Sequence, residues 1–376
     1  MKGSFRLGRV AGIEIGVHYT WLFAFALITW SLANGFFPAQ YPEWRGGTYW
    51  ITGTVASLLL FASVLLHELG HSLVARWLGY PVESITLFIF GGVSKIKGEA
   101  SAPRHEFWIA AVGPGTSLGL ALLFWVVLRI FTFESSPVGA VVSYLALINL
   151  LVGLFNLIPG FPLDGGRVLR SIVWRATRSV DRATRTAASV GQAFGWALIA
   201  FGIYQAVFAD NLLGGVWMAL IGWFLNNAAE ASRRESVTRS VFQGVTVRDV
   251  MDHSAPAVEP GVTVESVVMN EFLQGGHRSV LVSEGGGLLG IASLSDVRKL
   301  ARDRWPTTRI AEIMTKMPLK TVEYGAGIND ALQLLAENDL NQLPVMDGDA
   351  CVGMLKRGDL IKQLQLRQAL GVRPGR

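Results

Sequence analysis

The chain has 376 residues, 51% hydrophobic and only 16% charged, with 33 Lys and Arg against 28 Asp and Glu for a net charge of +5. Soluble globular chains carry about a quarter charged residues, so these values, with a mean hydropathy of +0.39, exclude a wholly soluble protein. The lone cysteine, Cys351, excludes an intrachain disulfide and disfavours a cysteine-built metal site.

The apolar excess lies before about residue 230, and the remainder has ordinary soluble composition. This predicts a membrane domain followed by a soluble one. The start, "MKGSFRLGRVAGIEIG", lacks the small-residue cleavage pattern of a secretory signal, so the first apolar segment is expected to remain as an anchor. A spanning helix needs about 20 mostly apolar residues. Six segments qualify, at 15–37, 50–77, 105–131, 138–158, 187–208 and 212–228.

The basic residues flanking these segments set an orientation. Lys2, Arg6 and Arg9 precede the first span, Arg76 ends the second, and Lys95, Lys97 and Arg104 follow it. Arg167, Arg170, Arg175, Arg178, Arg182 and Arg185 fill the fourth loop, and Arg233 and Arg234 follow the last span. All fall on one side, expected to be cytoplasmic; Arg45 and Arg129 are the exceptions. This bias also explains the basic pI near 9.4 without invoking nucleic acid.

Residues 81–98, "PVESITLFIFGGVSKIKG", are too short and β-branched for a span and are broken by Gly91-Gly92. They predict two strands forming a hairpin at the membrane edge. In the soluble part, "VRDVM" at 247 matches "IAEIM" at 310, and "GIASLSDV" at 290 matches "GMLKRGDL" at 353, with one shared offset. Each copy reads as strand, helix, two strands, helix, and a unit of about 60 residues is marginal alone. The two are expected to pack together.

Inside the second span, His67 and His71 stand four apart, one helical turn on one face, with Glu68 beside the first. This H-E-x-x-H spacing lets two imidazoles grip one metal ion and a carboxylate act as a base on water beside it. Ionisable groups in a span are costly and mark function. A catalytic zinc usually takes a third protein ligand. Candidates are Asp164, Glu83, Glu99, His105 and Glu106. Asp164 stands out, because the second and fourth spans run the same way and place it at the depth of the histidines. It can also serve as the N-cap of "GGRVLRSIVWRA". Pro159 and Pro162 are expected to hold an extended segment before it, and Gly165-Gly166 to let the backbone turn beside it.

H-E-x-x-H together with Asn156, Pro159, Leu163, Asp164 and Gly165 in an N-x-x-P-x-x-x-L-D-G pattern resembles the site-2 protease family of intramembrane zinc metalloproteases. The likeness spans residues 1 to about 230, including the Gly113-Pro114 break in the third span, and the C-terminal repeat resembles a tandem CBS pair. The implied architecture is a six-span α-helical membrane domain with a β-hairpin (1–232), α/β CBS domains at 245–303 and 308–366, and a tail at 367–376. The resemblance implies zinc on His67, His71 and Asp164, Glu68 as general base, and Asn156 at the oxyanion. The family's asparagine after Gly-Pro is replaced here by Thr116 and Ser117, so no role carries over to them.

The substrates implied are membrane proteins with a transmembrane segment, cut in regulated intramembrane proteolysis. Gly91, Gly92 and Val93 are placed either at a substrate-pairing strand or in a structural hairpin. The CBS pair implies an adenine nucleotide such as ATP or AMP at Ser293, Asp296 and Asp359, with Lys356 standing where a hydroxyl is usual. Lys356 reads either as a phosphate contact or, in preference, as a solvated surface lysine. A homodimer through the CBS pair and a bacterial or archaeal cell membrane are further expectations. The competing functions are a CBS-regulated transporter and an inactive membrane scaffold.

Overall fold

The computed structural model describes residues 4–89, 91–98, 100–131, 136–242 and 244–370, side chains at 235–240 and 368 excepted. Lys2, Glu99 and the end of the expected tail, 371–376, lie outside them. Two compact units divide the chain, 1–235 and 236–376.

The first unit opens with two strands, β1 (Ser4–Val10) and β2 (Ile13–His18). A two-residue turn joins them, with positive φ at both Ala11 and Gly12, the backbone that matches strand twist in a tight hairpin. Neither strand was expected; the first span was placed from residue 15, but its helix, α1, runs Thr20–Gln40. Helix α2 (Gly46–Trp77) follows. Gly79 stops it in the left-handed region, and the Tyr80 N–H closes the end on the Ala75 carbonyl at 2.9 Å.

The expected hairpin is present as β3 (Val82–Phe88) and β4 (Gly91–Ile96), paired antiparallel. It is part of a larger sheet, order β1-β2-β3-β4, in which β2 and β3 are parallel. Ile13, Ile15 and Ile85 pack with Leu69 of α2 and Leu65 beside it, which seats the sheet on the half of α2 that carries the histidines.

Helix α3 (Pro103–Ile130) starts with proline in its first turn, where the missing N–H costs nothing. It continues through Pro114, so the expected break at Gly113-Pro114 is an unbroken helix. Helix α4 (Pro137–Asn156) is capped by the Ser136 hydroxyl, which accepts from the Gly139 N–H at 3.1 Å. Helix α5 (Asp164–Thr177) is short and amphipathic, and α6 (Val180–Phe208) and the part of α7 (Leu212–Val241) before residue 236 complete the unit. Helix α3 packs against α2, α4 and α5.

Six helices among the described residues are long and apolar enough to cross a membrane. Their outward faces carry large exposed apolar side chains such as Trp30, Leu122, Trp125, Trp196 and Phe208. Surfaces this apolar belong in lipid. The membrane domain is polytopic and α-helical, as expected.

The second unit contains two sheets, β5 (Ala257–Val258), β6 (Ser279–Glu284), β7 (Gly287–Ser293) and β8 (Thr315–Lys316), and β9 (Val322–Glu323), β10 (Gln342–Asp347) and β11 (Ala350–Lys356). The two copies exchange their leading segments. Val247 and Met251, which start the first copy, are buried in the core of the second with Ile328 and Leu343. Ile310, which starts the second, is buried in the core of the first with Val264 and Val280. Equivalent positions meet between the copies, where the Ser279 hydroxyl donates to Gln342 Oε1 at 2.5 Å. Neither copy has a complete core alone, which agrees with the marginal size of one unit.

Candidate metal centre

His67 and His71 project from one face of α2, with ring centroids 4.9 Å apart and only 6% and 5% of their surfaces exposed. Asp164 stands at the first position of α5. Its Oδ2 lies 3.1 Å from each imidazole Nε2, and the two nitrogens lie 3.2 Å from one another. Among the described residues these three form a group whose donor atoms converge on one point. Zinc held tetrahedrally at about 2.0–2.1 Å sets its ligands about 3.3–3.4 Å apart, so the triangle fits one face of such a site.

The outer nitrogens explain why the inner ones converge. His71 Nδ1 donates to the Ile109 carbonyl at 2.5 Å. A carbonyl can only accept, so in the neutral ring the Nε2 lone pair faces Asp164 and His67. His67 Nδ1 is bonded to the Ser117 hydroxyl at 2.9 Å. Outer bonds of this kind fix the ring orientation of metal-binding histidines. With His67 Nδ1 likewise carrying its proton toward Ser117, two imidazole lone pairs and a carboxylate oxygen would meet at 3.1–3.2 Å and repel one another unless a cation joined them.

Ile109, Gly113 and Ser117 recur every four residues and make one stripe of α3 facing the imidazoles. A Cβ on Gly113 would collide with Nε2 of both histidines. Glycine there is required by close approach, not by a break in the helix. The sequence signal was this small-residue register after Gly-Pro. Ser117, to which no role was carried over, supports His67; Thr116 instead bonds its own helix at the Val112 carbonyl.

Asp164 is not the N-cap of α5; Leu163 holds that position. Gly165 and Gly166 do not form a tight turn, because both are helical. Cβ atoms there would strike the backbone of Leu157 and of Gly160, so they let α5 press against the preceding loop. Arg170, one turn and a half further, donates through Nε to Glu106 Oε1 at 2.6 Å.

The remaining candidates for third ligand lie elsewhere. Glu106 is committed to Arg170. Glu83 pairs with Lys95 and Lys97 at 2.8 Å each, and the bond from Lys95, then that from Lys97, pull its carboxyl down to about 2. His105 Nδ1 is bonded to the Tyr80 hydroxyl at 2.9 Å. Glu99 lies outside the described residues.

Glu68 turns toward the sheet. Its Oε2 accepts from the Ser94 hydroxyl at 2.7 Å, and a Cβ on Gly92 would run into its side chain. Gly91, Gly92 and Val93 thus begin the strand that lies against Glu68. Asn156 ends α4, and its Nδ2 donates to the Val152 carbonyl at 3.1 Å, with no bond to the metal-binding trio.

In the second unit Ser293 donates to Asp296 Oδ2 at 2.6 Å and caps the helix Leu294–Val297. Asp359 is in the first turn of the helix Arg357–Ala369. Lys356 is not a free surface lysine: it donates to Asp252 Oδ2 at 2.6 Å, and both side chains are three-quarters covered.

Fold and site together define a multi-pass membrane zinc peptidase joined to a soluble α/β pair. Residues 55–138 and 130–198 match the model of Peptidase family M50, and 247–303 and 310–366 each match that of the CBS domain. Rip3 of Mycobacterium tuberculosis is 37% identical over 375 residues, 97% of this chain and 94% of that protein. Zinc metalloprotease MJ0392 of Methanocaldococcus jannaschii is 27% identical over 367 residues, 97% of each chain. The solved site-2 protease from Methanocaldococcus jannaschii covers 61% of this chain and 95% of its own, at 29% identity and a TM-score of 0.43. The chain belongs to peptidase family M50, the site-2 proteases, in the form that carries a C-terminal CBS pair.

Proposed function

We propose that the enzyme hydrolyses peptide bonds within or near transmembrane segments of membrane-bound substrates, in regulated intramembrane proteolysis. The observation that carries this is the His67–His71–Asp164 triangle, two buried histidines on a membrane-spanning helix met by a largely covered aspartate from the short helix α5, with a carboxylate, Glu68, next to its first member. Zinc held there supplies Lewis acidity toward a carbonyl oxygen and makes a nearby water acidic enough to ionise near neutral pH. Glu68 takes the proton of the attacking water and hands it to the departing amide nitrogen. Asn156 offers its amide to the developing oxyanion, exchanging its bond to Val152 for that contact.

A membrane helix shields its carbonyls in its own hydrogen bonds, so a substrate must be extended before attack. Strand β4, the last in its sheet, has an outer edge that Gly91, Gly92 and Val93 offer to such a segment. The distribution of Lys and Arg supports a cytoplasmic N-terminus and CBS pair. Division at 1–232, 245–303 and 308–366, with a tail from 367, follows the same outline. For the CBS pair, Ser293, Asp296 and Asp359 are assigned to an adenine nucleotide such as ATP or AMP, and pairing of two chains through these domains extends the proposal.

The test uses purified full-length protein in liposomes and single-span peptides bearing a fluorophore and quencher. Wild type should cut within the apolar segment. Glu68→Gln should keep its zinc and lose turnover by roughly 10²–10⁴-fold. Full turnover in Glu68→Gln would remove the proposed base.

A further inference from the structure

Glu68 and Ser72 are four apart on α2 and share a face, adjacent to the one that carries the histidines. That face meets β4. On the strand, Gly92 and Ser94 are two apart and therefore point to the same side. The absence of a side chain at Gly92 leaves room for the Glu68 methylenes, which a Cβ there would displace. The Ser94 hydroxyl then reaches the carboxylate. Ser72, fully buried, donates to Ser94 Oγ at 3.1 Å, and Ser94 donates to Glu68 Oε2 at 2.7 Å. A second acceptor, the Glu68 carbonyl, lies 3.4 Å from Ser94 Oγ, but one hydroxyl has one proton and the carboxylate is the closer and stronger acceptor.

We infer that Ser94 is a positioning residue for Glu68. Through the chain Ser72–Ser94–Glu68 it fixes the rotation of the carboxylate and commits Oε2, leaving Oε1 to exchange protons with the reacting groups. This rests on the proposed role of Glu68 as base. It goes beyond that role, because Ser94 stands on the sheet's edge strand. The residue that sets the base therefore belongs to the element against which an extended substrate would lie. A carboxylate free to rotate about its last bond spends most of its time misaligned, and small misplacements of a catalytic group can cost up to about 100-fold.

Ser94→Ala, Ser94→Thr and Glu68→Gln are compared in the full-length protein, with the same liposome-embedded peptides and with zinc content measured on each preparation. Ser94→Ala should lower kcat about tenfold to 100-fold, with KM and zinc content unchanged. Ser94→Thr, which keeps the hydroxyl, should restore most of the loss. The assignment is overturned if Ser94→Ala keeps wild-type kcat, if it raises KM alone, if it loses zinc, or if Ser94→Thr is as impaired as Ser94→Ala. Wild-type turnover in Glu68→Gln would defeat the role of the base itself. An inactive Glu68→Gln beside a fully active Ser94→Ala would defeat only the positioning.

Discussion

Arg170 Nε donates to Glu106 Oε1 across 2.6 Å, and Arg170 Nη2 contacts the same oxygen. Glu106 is fully buried on α3, the helix whose stripe faces the imidazoles, while Arg170 is on α5, the helix that begins with Asp164. The pair therefore ties the third ligand to the wall of the site. Taking one partner from a buried ion pair costs about 3–5 kcal/mol, whereas replacing both with apolar residues can be neutral. Arg170→Ala should lower the thermal midpoint in detergent and weaken zinc binding in chelator competition. Glu106→Leu with Arg170→Met should recover the midpoint. An unchanged midpoint and zinc affinity in Arg170→Ala would show that the pair does not hold α5.

Ser117 supports His67 from α3 at 2.9 Å. Removing an outer partner of a metal-binding histidine typically weakens the metal site 10- to 100-fold. Ser117→Ala should show that loss in chelator competition, while Thr116→Val, whose hydroxyl bonds only its own helix, should not. Equal zinc affinity in Ser117→Ala and wild type would count against the support.

Two glycines on α3 separate close packing from helix flexibility. A Cβ at Gly113 meets both Nε2 atoms, and one at Gly115 meets nothing within 4 Å. Gly113→Ala should lose zinc while its helical circular dichroism is kept. Gly115→Ala should keep zinc and be slightly stabilised, because alanine favours a helix over glycine by about 1 kcal/mol. Normal zinc content in Gly113→Ala would contradict the packing.

In the CBS pair, the bond from Lys356 holds the Asp252 carboxyl below its ordinary 3.8. A carboxyl depressed in the folded state contributes stability above the unfolded value and loses it as pH falls through the folded value. The contribution should be present at pH 5 and fade below about 3.8, and for a partly exposed pair it should be about 1 kcal/mol or less. Hydrogen exchange around residues 247–252 in the full chain, corrected for the intrinsic effect of pH, should show protection falling over that range in wild type. The fall should be shallower in Asp252→Asn. Identical profiles would remove the pair from the stability of this unit.

The spans and the trio were legible because their signals are local or nearly so. Long apolar runs mark helices, a four-residue spacing puts His67 and His71 on one face, and parallel spans bring Asp164 to their depth. β1 and β2 are not legible because Arg6 and Arg9 read as the basic flank of the first span, and the strand that pairs with β2, β3, comes much later in sequence. Ser94 and Arg170 were missed because each acts across elements, β4 to α2 and α5 to α3, and neither has a motif of its own. The exchange of leading segments between the CBS copies is equally non-local. Lys356 read as solvated because Asp252 lies in the other copy.

The central claim is that His67, His71 and Asp164 hold one zinc ion. It is tested most directly by zinc stoichiometry of the detergent-purified full chain, wild type beside Asp164→Ala. The account predicts about one zinc per chain in wild type and loss or marked weakening in the variant. No zinc in wild type, or zinc held equally well without Asp164, would contradict it.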